Sequence, residues 1–320
     1  MLPKIHKQGN PGRPIISNHG TPTEEISGFV ESILKPLVTH RASFVQDAID
    51  FLRKLKNIDH LPSNTLLATM DVTSLYTNIP HQDGIQTCRT YLQEQDYSSE
   101  YRPKDITELI HFILTHNNFT SDNQHFLQRM GTAMGTKMAP QYANLFMSHL
   151  EEDFLKNCTI KPLLYLRYIN DIFIIWTENL QSLIEFHQKF SNPHLSIRLS
   201  LEYSSTSISF LDTMISIQKG KIQTTVYKKP TDQHTYLHRT SNHPKHTKKS
   251  VIYSQALRSH RICTEEHTRD RHLTNLKMAF TQQGHSSRER DRTFERATRI
   301  PREELLQYRR KPPQIAHRWL

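Results

Sequence analysis

Two aspartates that each adjoin a strongly apolar segment constrain this chain most. Leu66 to Met70 is a compact apolar run that leads into Asp71, and Leu163 to Trp176 indicates a strand, an Asn170-Asp171 turn and a second strand. Short apolar runs bounded by turn residues predict buried strands. Carboxylates are ligands that Mg²⁺ prefers, so the two aspartates are a candidate metal-binding pair. Taken alone, however, they are better interpreted as ordinary turn residues.

The remaining hydrophobic pattern predicts an α+β chain with a composition change near Lys228. Residues 2–17 indicate two short extended segments joined by a turn, and Asn118 to Met130 indicates a hairpin. Asp105 is the expected N-cap of one helix, and Pro140 is expected to open another through about Asn157. Further helices are expected over 26–38, 44–56, 82–92, 180–190, 250–262 and 272–281, and further strands over 197–203, 208–217 and 221–227.

The charge is unevenly distributed along the sequence. The formal net charge is +10, yet residues 221–320 contain 22 lysines and arginines against 9 acidic residues, so the whole positive surplus lies there. Such a surplus favours a polyanionic partner. Cys88, Cys158 and Cys263 lie far apart, which indicates neither a disulfide framework nor a zinc site and favours a reducing compartment. Without a long apolar run or an apolar signal segment, a soluble, intracellular protein with no membrane partner is expected.

Three sequence motifs in a fixed order favour a functional role for the two aspartates. Asp71-Val-Thr-Ser-Leu-Tyr76, Gly131-Thr-Ala-Met-Gly-Thr-Lys-Met-Ala-Pro140 and Arg167-Tyr-Ile-Asn-Asp-Ile-Phe173 resemble motifs A, B and C of reverse transcriptases. The amino-acid sequence resembles Penelope-like retroelements still more closely, and these are related to telomerase-type reverse transcriptases. That closer resemblance rests on Leu2-Pro-Lys-Ile-His-Lys7, Pro11-Gly-Arg-Pro-Ile-Ile-Ser17, Ser209-Phe-Leu-Asp212, Tyr227-Lys-Lys-Pro-Thr-Asp232 and Tyr236-Leu-His238.

The resemblance extends from Leu2 to about Cys263 and implies a right-hand polymerase. Residues 1–60 would form partial fingers, and residues 61–227 a palm with an antiparallel sheet backed by helices. Residues 228–320 would form a helical, basic, thumb-like region and a C-terminal tail. Many Penelope-like proteins continue into a GIY-YIG endonuclease and carry an N-terminal extension, neither of which is recognisable here, so a fragment or degenerate copy is expected.

The resemblance also implies roles for the aspartates. Asp71 and Asp171 would hold two Mg²⁺ ions, or Mn²⁺, together with the Val72 carbonyl, and would stabilise the attacking 3′-oxygen and the leaving pyrophosphate. The implied substrates are deoxynucleoside triphosphates, an RNA template, and a DNA primer or RNA–DNA hybrid. Tyr76 would exclude a 2′-hydroxyl; without the resemblance it is better interpreted as a core aromatic.

Five further residues match substrate-binding positions. Lys4 and Arg13 match cationic positions that contact the incoming triphosphate, although alone they would be solvated surface charges. Gly135, Ala139 and Pro140 match the motif B turn, where small residues let the backbone approach nucleotide and template. Pro140 is equally typical of a helix N1 position.

Asn170 departs from the family pattern. Members usually have Tyr-x-Asp-Asp, in which the first aspartate binds metal, whereas this chain has Tyr168-Ile-Asn-Asp171. An amide brings no negative charge, so metal affinity and transition-state stabilisation are expected to fall. The alternative is that Asp71 and Asp171 suffice, with a water filling the gap.

The basic region offers candidate nucleic-acid contacts as far as about residue 262, with a solvated tail as the competing interpretation, and a tail is expected beyond about residue 283. The candidate contacts are Lys228, Lys229, Lys245, Lys248, Lys249, Arg258 and Arg261.

The leading functional hypothesis is therefore an RNA-directed DNA polymerase. A non-catalytic nucleic-acid-binding protein is the alternative that Asn170 favours, and a structural remnant is least consistent with the basic segment. A nuclear location is expected from the substrate alone.

Overall fold

The computed structural model describes residues 2–3, 12–13, 15–94, 101–121, 123–191, 194, 196–233 and 235–308. They form two compact units. The sheet unit comprises residues 1–46 and 62–208, and the C-terminal unit comprises residues 47–61 and 209–320. The strands are β1 (Leu2–Pro3), β2 (Gly12–Arg13), β3 (Leu66–Val72), β4 (Asn118–Ser121), β5 (Gln124–Leu127), β6 (Leu164–Tyr168), β7 (Asp171–Trp176), β8 (Leu199–Ser204), β9 (Ser207–Phe210), β10 (Thr213–Gln218) and β11 (Lys221–Val226). The helices are α1 (Glu24–Thr39), α2 (Ala48–Lys56), α3 (Leu75–Asn78), α4 (His81–Glu94), α5 (Pro103–Thr115), α6 (Ala139–Asn157), α7 (Leu180–Ser191), α8 (Lys245–Ile262), α9 (Glu266–Gln282), α10 (Ser287–Thr298) and α11 (Arg302–Leu305).

The sheet unit is built on a four-stranded antiparallel sheet in the order β6-β7-β3-β8. The β-branched and aromatic residues of β7 suit a central strand, and Ile172 to Ile175 are fully buried. Ile172, Ile174 and Trp176 belong to the main core, together with residues of α1, α4, α5, α6 and α7. The core therefore fixes the two strands that end at the aspartates.

The helix α6 is the central support of that core. Pro140 lies in its first turn, where a missing N–H costs nothing. Residues Tyr142 to Ser148 are all buried, so the helix is enclosed by neighbouring elements rather than exposed on one face.

The C-terminal unit contains the sheet β11-β10-β9 and a helical region. Asp47 caps α2 by accepting hydrogen bonds from the backbone N–H groups of Ile49 and Asp50. A second core is formed by α8, α9 and α10, with Ile252, Phe280 and Phe294 at its centre.

Most predicted elements are present, with four local corrections. Helix α2 begins at Ala48 rather than near 44, and α5 begins at Pro103 after an Arg102 N-cap, so the Asp105 cap was wrong. The strand predicted over 208–217 is two strands, separated at Leu211, whose φ of 54° is left-handed. Residues beyond 283 were predicted to be a tail but form α10 and α11, because Phe294 and Ala297 are buried.

Two helical glycines are expected to respond oppositely to alanine. A Cβ at Gly84 in α4 would collide with the ring and hydroxyl of the buried Tyr142, so Gly84→Ala should destabilise by about 1–3 kcal/mol. A Cβ at Gly28 in α1 would meet only the flexible Lys137 chain at 3.3 Å. Gly28→Ala should therefore stabilise by up to about 1 kcal/mol through helix propensity. Urea unfolding measures both, and equal effects would contradict the packing described.

Candidate active site

Antiparallel pairing brings the two predicted aspartates together. Asp71 in β3 and Asp171 in β7 are direct partners in the ladder, so their side chains lie on the same face of the sheet. The preceding turn contains Ile169, whose φ of 55° is strained for a β-branched residue. This strained residue lies in the turn that places Asn170 and Asp171 beside Asp71.

The side chain of Asn170 lies between the two carboxylates. Its Nδ2 donates to Asp71 Oδ1 at 2.7 Å and to Asp171 Oδ1 at 3.4 Å. The backbone carbonyl of Asn170 accepts from the Val72 N–H at 2.9 Å. Because ionised carboxylates only accept hydrogen bonds, the amide is oriented with its donors toward both of them. A neutral donor therefore occupies the place where a third carboxylate would face the same pair.

The donor set fits a divalent cation held by two carboxylates. Both aspartates are half-buried, and oxygen is the preferred ligand of Mg²⁺. Among the described residues, no group of three or more His, Cys, Asp or Glu side chains is placed to hold a metal. Asn170 can contribute only by turning its amide oxygen inward, which would break its bonds to the aspartates.

Residues that the sequence analysis did not assign hold this site in place. Ser200 in β8 pairs with Asp71, and its Oγ lies 3.3 Å from the Asp71 N–H. More important is Arg167 in β6, which is fully buried and donates to four residues: Glu151, Asn144, Ser148 and the carbonyl of Ile169. A lone arginine in an apolar strand was the available signal, whereas nothing in the sequence distinguishes Glu151 from its acidic neighbours Glu152 and Asp153.

The buried ion pair is itself well satisfied. Arg167 Nε lies 2.6 Å from Glu151 Oε1, and that carboxylate also accepts from the hydroxyls of Ser43 and Tyr165. The Arg167 N–H donates to the Ser43 carbonyl, and the Arg167 carbonyl accepts from the Val45 N–H. The network thus ties α6, β6 and the 43–45 segment to the turn before Asn170.

The motif B loop lies against the motif A segment. The Thr132 N–H donates to the Tyr76 carbonyl at 2.6 Å, and His81 Nε2 lies 2.8 Å from the Gly131 carbonyl. Gly131 has a φ of 69°, and a Cβ there would collide with the Tyr76 carbonyl and Thr77. Only glycine allows this approach.

The same loop receives the N-terminal segment. The Ile16 N–H donates to the Met134 carbonyl at 3.0 Å, and a Cβ on Gly135 would collide with the Ile16 carbonyl. Gly135 is exposed with a φ of 140°, Ala139 is buried and Pro140 is half-buried. These placements agree with a tight motif B turn.

The remaining substrate-binding predictions are only partly placed. Tyr76 is half-buried, and burial raises the pKa of its phenol to about 12, so it stays neutral. Lys4 lies outside the described residues, and only the backbone of Arg13 is described, in β2.

The predicted nucleic-acid contacts differ in their surroundings. Lys228, Lys229 and Lys245 are exposed, and Lys249 pairs with Glu289 at 3.1 Å. The other three are half-buried. Lys248 donates to the carbonyls of Arg239 and Ser241, Arg258 pairs with Asp212, and burial lowers the pKa of Arg261. None of the described helices is long and apolar enough to cross a membrane.

Comparison with protein families gives two matches. A family model described as reverse transcriptase (RNA-dependent DNA polymerase) matches residues 5–237. A model described as animal helix-turn-helix domain matches residues 235–295. The comparison with curated proteins returns no match.

Solved structures share the fold at low identity. Telomerase from Candida albicans in complex with a TWJ fragment of telomeric RNA matches with a TM-score of 0.60 and 10% identity, over 81% of this chain and 46% of that one. Apo telomerase from Candida tropicalis matches with a TM-score of 0.51 and 14% identity, over 87% and 50%. The BmCPV RNA-dependent RNA polymerase at elongation state matches at 0.50 and 11%, over 73% and 22%.

These likenesses confirm the predicted α+β, right-hand polymerase fold. The chain spans no more than half the length of the telomerase structures it matches. The predicted boundaries of fingers, palm and thumb stay predictions.

Removing the buried arginine should cost far more than removing an exposed one. Arg167→Met would leave Glu151 buried without a cation, and a loss of about 3–5 kcal/mol is expected. The control is Arg102→Met, which breaks an exposed pair with Asp105 and should cost far less, because water screens exposed pairs. Arg167→Met/Glu151→Leu should lose less than Arg167→Met. Urea unfolding measures all three, and a loss at Arg167 no larger than the control would refute the proposed role.

Asn170→Asp should destabilise the metal-free protein. It removes a donor to two carboxylates and adds a third negative charge, with an expected loss of about 1.5–3 kcal/mol. Added Mg²⁺ should raise the Tm of this variant more than that of the native chain, because the ion binds only the folded site. The exposed Asn242→Asp is the control. If neither the substitution nor added Mg²⁺ changes the Tm, the hydrogen bonds of the Asn170 amide do not contribute to stability.

Proposed function

The chain belongs to the reverse transcriptase family, and from that membership we propose that it is the RNA-directed DNA polymerase domain of a Penelope-like retroelement, impaired by Asn170. The observation that carries the proposal is the direct pairing of Asp71 with Asp171, with the Asn170 amide bonded between them. The strings at 2–7, 11–17, 209–212 and 227–238 support the narrower Penelope-like assignment.

The proposed reaction adds deoxynucleotides to a primer 3′-OH on an RNA template. Asp71, Asp171 and the Val72 carbonyl would hold the divalent ions. Two Mg²⁺ ions, when bound, would supply stabilisation of the attacking and leaving oxygens. The two carboxylates supply the charge that retains the ions, and the Arg167 network keeps those carboxylates in register.

The remaining residues would orient the nucleotide. Tyr76 lies in the segment that also contacts the motif B loop, so a bulky side chain there would restrict the sugar. Arg13 and Lys4 would contact the triphosphate as fixed cations. Gly135 would leave the backbone accessible to template and nucleotide.

Nucleic-acid partners are supported by charge and by the comparisons. The last hundred residues carry the whole basic surplus, and the similar telomerase is bound to a telomeric RNA fragment. The helix-turn-helix match over residues 235–295 lies in the same region. An RNA template, a DNA primer and their hybrid are the proposed partners, and a nuclear location follows from those substrates.

The second candidate function is nucleic-acid binding without catalysis. It is favoured by the orientation of the Asn170 amide, which donates to one oxygen of each carboxylate. Recruiting metal therefore requires breaking hydrogen bonds that a third carboxylate would never have formed.

Primer extension separates the two candidates. The native chain, Asn170→Asp and Asn170→Asp/Asp71→Asn should be compared on an RNA template with Mg²⁺ and with Mn²⁺. Restoring the carboxylate should raise incorporation about 10²-fold, the scale on which one electrostatic stabiliser acts. The double variant should lose that gain, because Asp71 is a metal ligand.

A parallel hybrid-binding assay fixes the interpretation. Equal binding by all three proteins, with incorporation gained only by Asn170→Asp, supports an impaired polymerase. Equal binding with no incorporation by any protein supports the non-catalytic candidate. Full incorporation by the native chain would show that the site tolerates Asn170.

A further inference from the structure

The C-terminal unit contains a pocket between α2 and β11, which we call the α2–β11 pocket. Its volume is about 260 Å³, slightly below the roughly 300–1,000 Å³ of pockets that hold drug-sized ligands. Leu52, Leu55, Ile58 and Ile222 supply its apolar surface. A pocket of this size accommodates one small molecule or one side chain, but not a strand or a helix.

The charged lining of this pocket is mainly cationic. It comprises Lys56, Lys221 and Arg302 against one acidic residue, Asp59. In the part of the chain that the structure describes, none of the three cations forms an ion pair. The pocket therefore combines apolar surface with positive charge that the fold does not balance.

Arg302 is the least solvated of these cations. Its side chain is half-buried, whereas Lys56 and Lys221 are exposed. Burial lowers the pKa of its guanidinium, and the neighbouring Glu303 only partly offsets this effect. Its Nε group donates to the carbonyl of Arg261 at 2.9 Å, which holds the guanidinium in place. Because an arginine does not release its proton, its desolvation costs free energy until an anion pairs with it.

The hydroxyl groups of the lining already have partners within the fold. The Thr224 hydroxyl donates to the carbonyl of Ile262, and the Thr264 hydroxyl accepts from the Thr224 N–H at 3.1 Å. The lining cations are left to bond a ligand, and their bonds are strongest to an anion. The pocket therefore favours an anionic ligand over a neutral polar one.

The shape of the charged group and the surface beside it define the ligand further. A planar guanidinium presents paired N–H donors that match the two oxygens of a carboxylate. The apolar side chains of α2 and β11 favour a ligand whose charged group is attached to an apolar body, because burying that body removes it from water. A bare inorganic anion would leave the same apolar surface hydrated.

We propose that the α2–β11 pocket binds a small apolar carboxylate, with Arg302 paired to the carboxylate and the apolar residues of the pocket against its body. A free acid and the C-terminal residue of a peptide both present this chemistry. The proposal does not depend on nucleotidyl transfer, because none of the lining residues is a proposed metal, nucleotide or nucleic-acid contact.

The test uses the full chain and two carboxylate probes that separate the two sources. 4-Methylpentanoate is a free acid, and N-acetyl-L-leucinate mimics the end of a peptide. N-acetyl-L-leucinamide keeps the apolar body without the charge, and acetate keeps the charge without the body. Ligand-observed NMR titration at constant ionic strength gives each Kd, expected near the millimolar range for ligands this small. At least one carboxylate probe should bind about tenfold more tightly than the amide and acetate.

Variants then assign the binding to the pocket. Arg302→Met should weaken the better carboxylate at least about tenfold, because it removes a charge-assisted pair, and Arg302→Lys should retain part of the affinity. The control is Arg299→Met, which removes an exposed arginine of the same unit outside the pocket and should keep the native Kd. Lys56→Gln/Lys221→Gln changes only exposed side chains, so it tests the site even if Arg302→Met does not fold. It should weaken binding about twofold or more.

Three results would overturn the proposal. The first is a native chain that binds neither carboxylate probe, and the second is one that binds the amide as tightly as the carboxylate. The third is an unchanged Kd in the pocket variants that fold, which would place the binding elsewhere on the chain. None of these results bears on the polymerase proposal, because the assay contains no metal, nucleotide or nucleic acid.

Discussion

The buried contact between Arg167 and Glu151 is the interaction on which the geometry of the candidate site depends. A buried ion pair is favourable only when its remaining donors and acceptors are satisfied. Here the guanidinium also donates to Asn144 and Ser148 on α6 and to the carbonyl of Ile169. The Glu151 carboxylate accepts from the hydroxyls of Ser43 and Tyr165. An apolar pair of similar volume would fill the space but would not bond to the Ile169 carbonyl. The charge is therefore used to hold a strained turn in one conformation.

That turn determines how the sheet presents its carboxylates. A one-residue slip in the pairing of β7 with β3 would move Asp171 to the opposite face from Asp71. The Val72 N–H bond to the Asn170 carbonyl and the Arg167 bond to the Ile169 carbonyl fix the turn from two sides. Burial of Ile172 to Ile175 stabilises the sheet but does not fix this register. The strand is apolar on both faces, so a slipped strand would still bury apolar side chains.

Much of the sheet unit was predictable because its signals are local. The apolar run before Asp71 and the strand–turn–strand around Asn170 identified β3, β6 and β7, and their pairing follows from antiparallel geometry. Long-range features were missed. Nothing near Arg167 in the sequence reveals that its partner is Glu151, and α10 was missed because its few apolar residues are separated by charges. Its helix is stabilised by tertiary burial of Phe294 and Ala297, which composition does not report.

Asn170 illustrates how folding and catalysis make opposite demands on one position. Two half-buried carboxylates facing each other repel, and a metal-free protein gains from any neutral donor placed between them. A catalytic site instead needs that repulsion, because uncompensated negative charge is what attracts two dications. The amide relieves the repulsion permanently, whereas a carboxylate would leave it to be relieved by metal. The Arg167 network bonds to the turn before Asn170, and Gly131 lets the motif B loop approach the Tyr76 carbonyl closely. Under the proposed function, the same amide that donates to both carboxylates also leaves the site without a third negative charge for metal binding.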